Sequence, residues 1–200
     1  MARVVLGLGS NLGDRGRLLR SAVDALRAQE GVEVEGVSPV VATRPVGGPP
    51  DQPDFLNAVV RVTTTLSPFQ LLGACQRIEA DHDRERTVRW GPRTVDLDII
   101  DYDGLEMDEP TLTLPHALAA QRAFVLVPWS LLEPQALLRG RPVAELAERA
   151  PDRSGISART SSLEQAPGPA QDAAPDVRRE LDSDGDPDGD SERDEGRAGR

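Results

Sequence analysis

The chain has 200 residues and a formal charge of -11, from 34 acidic groups against 23 basic ones, all of them arginine. Without lysine there is no Walker A phosphate loop and no Schiff-base chemistry on a lysine, and with Cys75 as its one cysteine there is neither an intramolecular disulfide nor a cysteine-built zinc site. No stretch approaches the roughly 18 apolar residues of a membrane span, and the N-terminus lacks a secretory signal's hydrophobic region, which points to the cytoplasm.

Residues 3–8 are rich in β-branched side chains and predict a strand. Gly9-Ser10-Asn11-Leu12-Gly13-Asp14 reads as a turn; its glycines do not have dinucleotide-site spacing. Leu18, Leu19, Ala22, Val23, Ala25 and Leu26 recur at helical spacing, and Gly31 ends that helix. Val32 to about Val41 alternates like a strand, whereas residues 44–53, with four prolines and two glycines, form a loop. Phe55 to Thr65 is a Val- and Thr-rich strand. Ser67-Pro68 then starts a helix, with serine at the N-cap and proline at the first helical position. Leu71, Leu72, Cys75 and Ile78 form its apolar face, so Cys75 is expected as a core thiol. Residues 82–93 are a polar, Arg-rich loop, and Val95 to Tyr102 is a strand.

The order β-α-β-β-α-β predicts an α+β, ferredoxin-like fold: an antiparallel sheet with helices on one face. C-terminal helices follow. Pro115-His116 opens a helical stretch, Phe124 to Leu132 is strongly apolar, and Pro142 to Arg149 reads as a short helix. All six aromatic residues precede position 151, and residues 151–200 hold 13 acids and 7 arginines. One globular domain over 1–150 and a disordered acidic tail over 151–200 are therefore expected. Asp184 to Gly189 with Glu195 has calcium-loop spacing, but Gly, Ser and Asp flanks supply no helices to hold it; a solvated acidic run is the expectation.

The chemistry concentrates in Arg89-Trp90-Gly91-Pro92-Arg93-Thr94-Val95-Asp96-Leu97-Asp98-Ile99-Ile100. In a strand, Asp96 and Asp98 point to one side with Cα atoms about 6.5–7 Å apart. They suit one hard cation or a pair of Mg²⁺ ions; alternatively they face water or pair with nearby arginines. Arg84, Arg86, Arg89 and Arg93 lie within ten residues on the loop before them. Guanidinium groups grip phosphate bidentately, so carboxylates beside such a loop suit a polyphosphate carrying Mg²⁺. Trp90 could cover a flat ligand. Asn57, between apolar residues on its strand, can pair with a heterocycle's edge, and Phe55 on the same face could stack; a satisfied core amide is the other reading. His116 beside Arg122 is a candidate phosphate contact.

The run Arg89 to Ile100, with Gly9 to Gly13, Asp51-Gln52-Pro53-Asp54-Phe55-Leu56-Asn57 and Pro115-His116, resembles the hydroxymethyl-dihydropterin pyrophosphokinase family of folate synthesis, over about residues 3–140. The resemblance implies a ferredoxin-like fold and transfer of pyrophosphate from ATP to the hydroxymethyl oxygen of a dihydropterin, leaving AMP. It implies that Asp96 and Asp98 hold two Mg²⁺ ions on the triphosphate. Arg84 and Arg93 would stabilise the transferring group, with Arg86 and Arg89 helping. Gln76, Glu79, Thr113, His116 and Arg122 would line the nucleotide side; Thr43, Val46, Phe55, Asn57 and Phe124 the pterin side, Phe55 and Phe124 stacking on the ring and Trp90 closing over it. Small-molecule substrates and a monomer are expected, without nucleic-acid or membrane partners. The chain departs from the family pattern at Val41, Asp83 and Ala117. Two other readings are a weakened member acting as a binding partner through its tail, and an RNA-binding ferredoxin-like module, which the acidic domain disfavours.

Overall fold

The computed structural model of the chain describes residues 1–45, 52–82, 94–160, 162 and 163. The first strand, β1 (Ala2–Ser10), is followed by helix α1 (Arg15–Ala28). Asp14 caps α1 by accepting the N–H of Arg17, and the helix buries Leu19, Ala22, Val23 and Leu26 at the predicted spacing. Gly9 and Ser10 lie inside β1 rather than in the turn. The turn is shorter, at residues 11–14, where Gly13 takes φ +59°.

The strand expected from Val32 to about Val41 is two: β2 (Val32–Val37) and β3 (Val41–Thr43). Both lie along the same edge of β4 (Phe55–Thr64), β2 against its end and β3 against its start. Ser38 makes the break. Its hydroxyl accepts the N–H of Val59 at 2.8 Å and its N–H donates to Val59 O at 2.9 Å, so a side chain substitutes for one ladder bond. Helix α2 (Pro68–Asp81) starts where predicted, with a capping box: Ser67 Oγ accepts the Gln70 N–H, and Gln70 Oε1 accepts the Ser67 N–H. Strand β5 (Asp96–Tyr102) completes the central set. A hairpin of β6 (Met107–Glu109) and β7 (Leu112–Leu114) follows, then a 3₁₀ turn (Ala119–Gln121) where a helix was expected to open, then α3 (Ala123–Leu132). The small pair β8 (Leu137–Leu138) and β9 (Arg141–Pro142) leads into α4 (Val143–Arg149) and β10 (Ile156–Arg159).

The main sheet runs β10-β3-β4-β1-β5 with β2 also on β4, and every neighbour pair is antiparallel. Helices cover both of its faces, not one. Leu19, Val23, Leu26, Leu71, Cys75 and Ile78 of α1 and α2 pack with Leu6, Leu56, Val60 and Leu97 on one side. Val125, Leu126, Trp129, Val143 and Leu146 of α3 and α4 pack with Val5, Val41, Val59 and Ile100 on the other. This explains the unbroken burial from Leu56 to Val60: a strand covered on both faces has no polar side to alternate with. Among the described residues no helix is long and apolar enough to cross a membrane.

The folded part also runs past residue 150. Strand β10 pairs with β3, Thr160 N–H donates to Val40 O, and Leu163 is buried in the α1–α2 core. The expected boundary missed this because β10 is exposed over Ser157 to Arg159 and carries one apolar side chain, Ile156, so nothing in its pattern signals a strand. The calcium-loop spacing at 184–195 lies outside the described residues, as do all but two residues after Thr160.

Candidate active site

Register places the chemistry. Val41, Asn57, Gly9 and Asp96 form one row across four strands, and Val59, Gly7 and Asp98 form the next. Residues directly paired in antiparallel strands share a face. Asp96 and Asp98 therefore project on the α3 side of the sheet, together with Asn57. Two strand spacings separate Asn57 from Asp96, about 10 Å. Gly9 between them leaves the floor open: a Cβ there would stand 3.1 Å from Asn57 Oδ1 and 4.0 Å from Asp96 Cβ.

Both aspartates are half-exposed, while their strand neighbours Leu97 and Ile99 are buried in the opposite core. Arg122 Nη1 lies 3.9 Å from Asp98 Oδ2, and its guanidinium sits 5.4 Å from the centroid of the Phe124 ring. His116 is tied to the same strand, its N–H donating to Ile100 O at 2.8 Å. Its Nδ1 accepts the N–H of Leu118 at 3.2 Å, which leaves Nε2 to carry the proton of the neutral ring. Burial holds the His116 pKa below the ordinary histidine value; Asp98 and Asp96 oppose that, and Arg122 reinforces it. Two carboxylates, one guanidinium and one imidazole thus form an electrostatically connected group.

On the other side of Gly9, Asn57 is 5% exposed and its Nδ2 donates to Thr43 Oγ1 at 2.9 Å. Phe55 pairs with Thr43 in the register and is half-buried, as is Phe124 at the start of α3. The short motifs at Gly9–Gly13 and Asp51–Asn57 belong together for a structural reason. Asn11 Nδ2 donates to Gln52 Oε1 at 3.4 Å and Pro53 O at 3.3 Å, and Arg15 donates to Asp54 O.

Thr43, Phe55, Asn57, Asp96, Asp98, His116, Arg122 and Phe124 accordingly occupy one end of the sheet and the start of α3. Three others lie on neighbouring elements. Gln76 is exposed on α2, which packs on the opposite face. Glu79 is 5% exposed, and its Oε1 accepts the N–H of Leu97 at 2.8 Å, a bond to the backbone between the two aspartates. Thr113 donates to Asp108 Oδ1 at 3.3 Å across the β6–β7 hairpin. Val46, Arg84, Arg86, Arg89, Trp90 and Arg93 lie outside the described residues. One supporting group went unnoticed in the sequence. Asp152 Oδ1 accepts the Ala123 N–H at 2.7 Å and so caps α3 from 29 residues away, a separation at which no local pattern exists to reveal it.

Comparison with known proteins places the chain in a family. The model of the family described as 7,8-dihydro-6-hydroxymethylpterin-pyrophosphokinase (HPPK) matches residues 5–134. A 2-amino-4-hydroxy-6-hydroxymethyldihydropteridine pyrophosphokinase of Methylorubrum extorquens is 43% identical over 156 residues, covering 78% of this chain and 98% of that one. Its namesake in Bacillus subtilis is 46% identical over 123 residues, 62% of this chain and 73% of the relative. Among solved structures, wild-type HPPK-DHPS of Plasmodium falciparum shares the fold at a TM-score of 0.56 and 13% identity, over 74% of this chain and 44% of that one. The chain belongs to the 7,8-dihydro-6-hydroxymethylpterin pyrophosphokinase family.

Proposed function

We propose that this chain is a 2-amino-4-hydroxy-6-hydroxymethyldihydropteridine pyrophosphokinase, moving the pyrophosphoryl group of ATP to 6-hydroxymethyl-7,8-dihydropterin in folate biosynthesis. The hydroxymethyl oxygen attacks the β-phosphorus, the bond from that phosphorus to the α-bridging oxygen breaks, AMP leaves, and the hydroxyl proton is lost to solvent. Such a transfer asks for in-line placement and charge stabilisation more than for covalent help. We read the order β2/β3-β4-β1-β5, with α1 and α2 as crossovers, as the ferredoxin-like arrangement expected from the sequence.

The cross-strand row carries the reading: Asn57 for a ring edge, open floor at Gly9, then carboxylate at Asp96. Asn57 Oδ1 and Nδ2 can address the pterin edge, and Phe55 and Phe124 can stack on its faces. Asp96 and Asp98 fit Mg²⁺. They are an all-oxygen pair on one sheet face, and Asp98 keeps 40% of its side chain exposed. Among the described residues no group of three or more His, Cys, Asp or Glu could hold a metal. The pair would hold the ion through one or two carboxylates, its other positions filled by phosphate oxygens and water. Bound there, Mg²⁺ would neutralise charge on the triphosphate. Arg122 and His116 Nε2–H would address the phosphates beside it, with Gln76, Glu79 and Thr113 on the nucleotide side. Arg84 and Arg93 would stabilise the transferring group, Arg86 and Arg89 would assist, Trp90 would close over the site, and Val46 would line the pterin side. A monomer acting in the cytoplasm completes the reading.

The test is AMP formation from ATP and Mg²⁺ with and without the reduced pterin. AMP should appear only with the pterin present, and Asp96→Asn should lower turnover on the order of 100-fold or more. Full activity in Asp96→Asn would defeat the assignment of these carboxylates.

A further inference from the structure

Strand β10 and the turn before it follow the family match, which ends at residue 134, and belong to none of the motifs that carry the resemblance. The burial of β10 is slight, since Ser157, Ala158 and Arg159 are exposed. Apolar packing holds it only through Ile156, which lies against the α3–α4 core, and through Leu163 beyond it. Its polar contacts do have a pattern: they go to the end of β3 and the residue before Phe55 on one hand and to the turn that carries Phe124 on the other, the groups read above as the two sides of a pterin slot.

On the first side, Ile156 pairs with Thr43, whose hydroxyl accepts from Asn57. Arg44 N–H donates to Gly155 O and Arg44 Nη2 donates to Ser154 O, both at 3.0 Å. The Ser157 hydroxyl lies 3.2 Å from Asp54 Oδ2 and 3.2 Å from Ala42 O, able to donate to either. Thus one short segment reaches the last residues of β3 and the residue before Phe55. On the second side, Asp152 accepts the N–H of Ala123, which stands between Arg122 and Phe124. The residue at the N-cap of α3, Arg122, makes no side-chain cap of its own. Without Asp152 the first turn of α3 would lose its charged cap, worth as much as other charge-assisted hydrogen bonds.

We propose that residues 152–157 are a positioning clasp for the pterin slot, tying the Thr43–Phe55 wall to the Arg122–Phe124 wall so that two stacking rings keep one spacing. The clasp rests on the pterin-side reading given above and adds to it the element that sets the slot's width. Its residues touch neither substrate; they act through Thr43, Asn57, Phe55 and Phe124.

Steady-state kinetics of the full chain separate this from a general structural role. In the double variant Asp152→Ala/Ser157→Ala, KM for the reduced pterin should rise on the order of 10-fold, from the loss of two hydrogen bonds. kcat should stay within about twofold and KM for ATP should rise less than KM for the pterin, because Arg122 is the one nucleotide-side group on the clasped turn and it keeps its contact with Asp98. Asp152→Asn retains an oxygen acceptor for Ala123 and should recover most of the pterin KM when Ser157 is intact. Asn57→Ala is the control for the slot itself. If Asn57→Ala raises the pterin KM and the double variant does not, the clasp is wrong. If the double variant moves kcat and both KM values together, its role is merely structural and the proposal is again overturned. If Asn57→Ala leaves the pterin KM unmoved, the pterin-side reading fails first and takes the clasp with it.

Discussion

A methyl group at Gly9 would stand 3.1 Å from Asn57 Oδ1, and Asn57 has little room to retreat, being buried with its Nδ2 donating to Thr43. Gly9→Ala should therefore turn the amide away from the position proposed to address the pterin rather than unfold the strand. We expect KM for the pterin to rise by about 10-fold, the scale of one good hydrogen bond to a buried partner, with a smaller effect on ATP. Measurement of both KM values beside a thermal melt checks this; an unchanged pterin KM would mean that Asn57 does not address the ring. At this scale the sequence was legible where a residue type is itself unusual. Paired aspartates on an apolar strand, and an asparagine amid valines, stood out because such groups need a partner. It was illegible where a common residue acts across a long separation. Asp152 looks like any turn aspartate until Ala123 is placed beside it, and the bond from Glu79 to the Leu97 N–H depends on how α2 lies against β5.

The elements that could be read were those with their own pattern. Helix α1 declared itself by apolar spacing, α2 by apolar spacing and its Ser67-Pro68 start, and β1, β4 and β5 by apolar runs. Those that could not be read are short and exist only through a partner: β8 and β9 have two residues each, β6 and β7 three, and β10 four. The division of β2 from β3 has the same origin, since Ser38 becomes a break only when Val59 is there to bond with it. A local signal should also have a local cost. Ser67→Ala removes the acceptor for the Gln70 N–H in the capping box, and the two residues of α2 proposed for the nucleotide side, Gln76 and Glu79, lie in its later turns. We expect a loss of about 1 kcal/mol in urea denaturation, with kcat and both KM values unchanged. A fall in activity at unchanged stability would show that the start of α2 is coupled to the site.

The composition of the whole molecule sets how it meets alkaline pH. Most proteins lose positive charge there as lysines deprotonate, but this chain has none, and its arginines stay charged. Apart from the N-terminus, the groups left to titrate are its single cysteine and single tyrosine. Cys75 is fully buried in the α1–α2 core, and burial, with the charge of Asp98 adding to it, pushes the thiol up to about 12. Tyr102 is raised too, by burial and then by Asp103, and its hydroxyl donates to Leu66 O. The unfolded chain releases the thiol proton near its ordinary value of 9.0, whereas the folded chain holds it to about 12. Between those two values the native state binds more protons, so stability must fall as pH rises through the window and be constant, for this group, below it. The decline should approach ~1.4 kcal/mol per pH unit once pH exceeds 9, with Tyr102 steepening it above 10. Denaturant titrations from pH 8 to 11 on the chain and on Cys75→Ala give the test. The variant should be less stable at pH 8, from the cavity it opens, yet show a flatter decline between pH 9 and 10. The same buried thiol should resist a disulfide reagent at pH 8 until the chain unfolds. Equal slopes in the two proteins, or rapid labelling of the native chain, would place Cys75 in contact with water rather than beneath the sheet that carries Asp96 and Asp98.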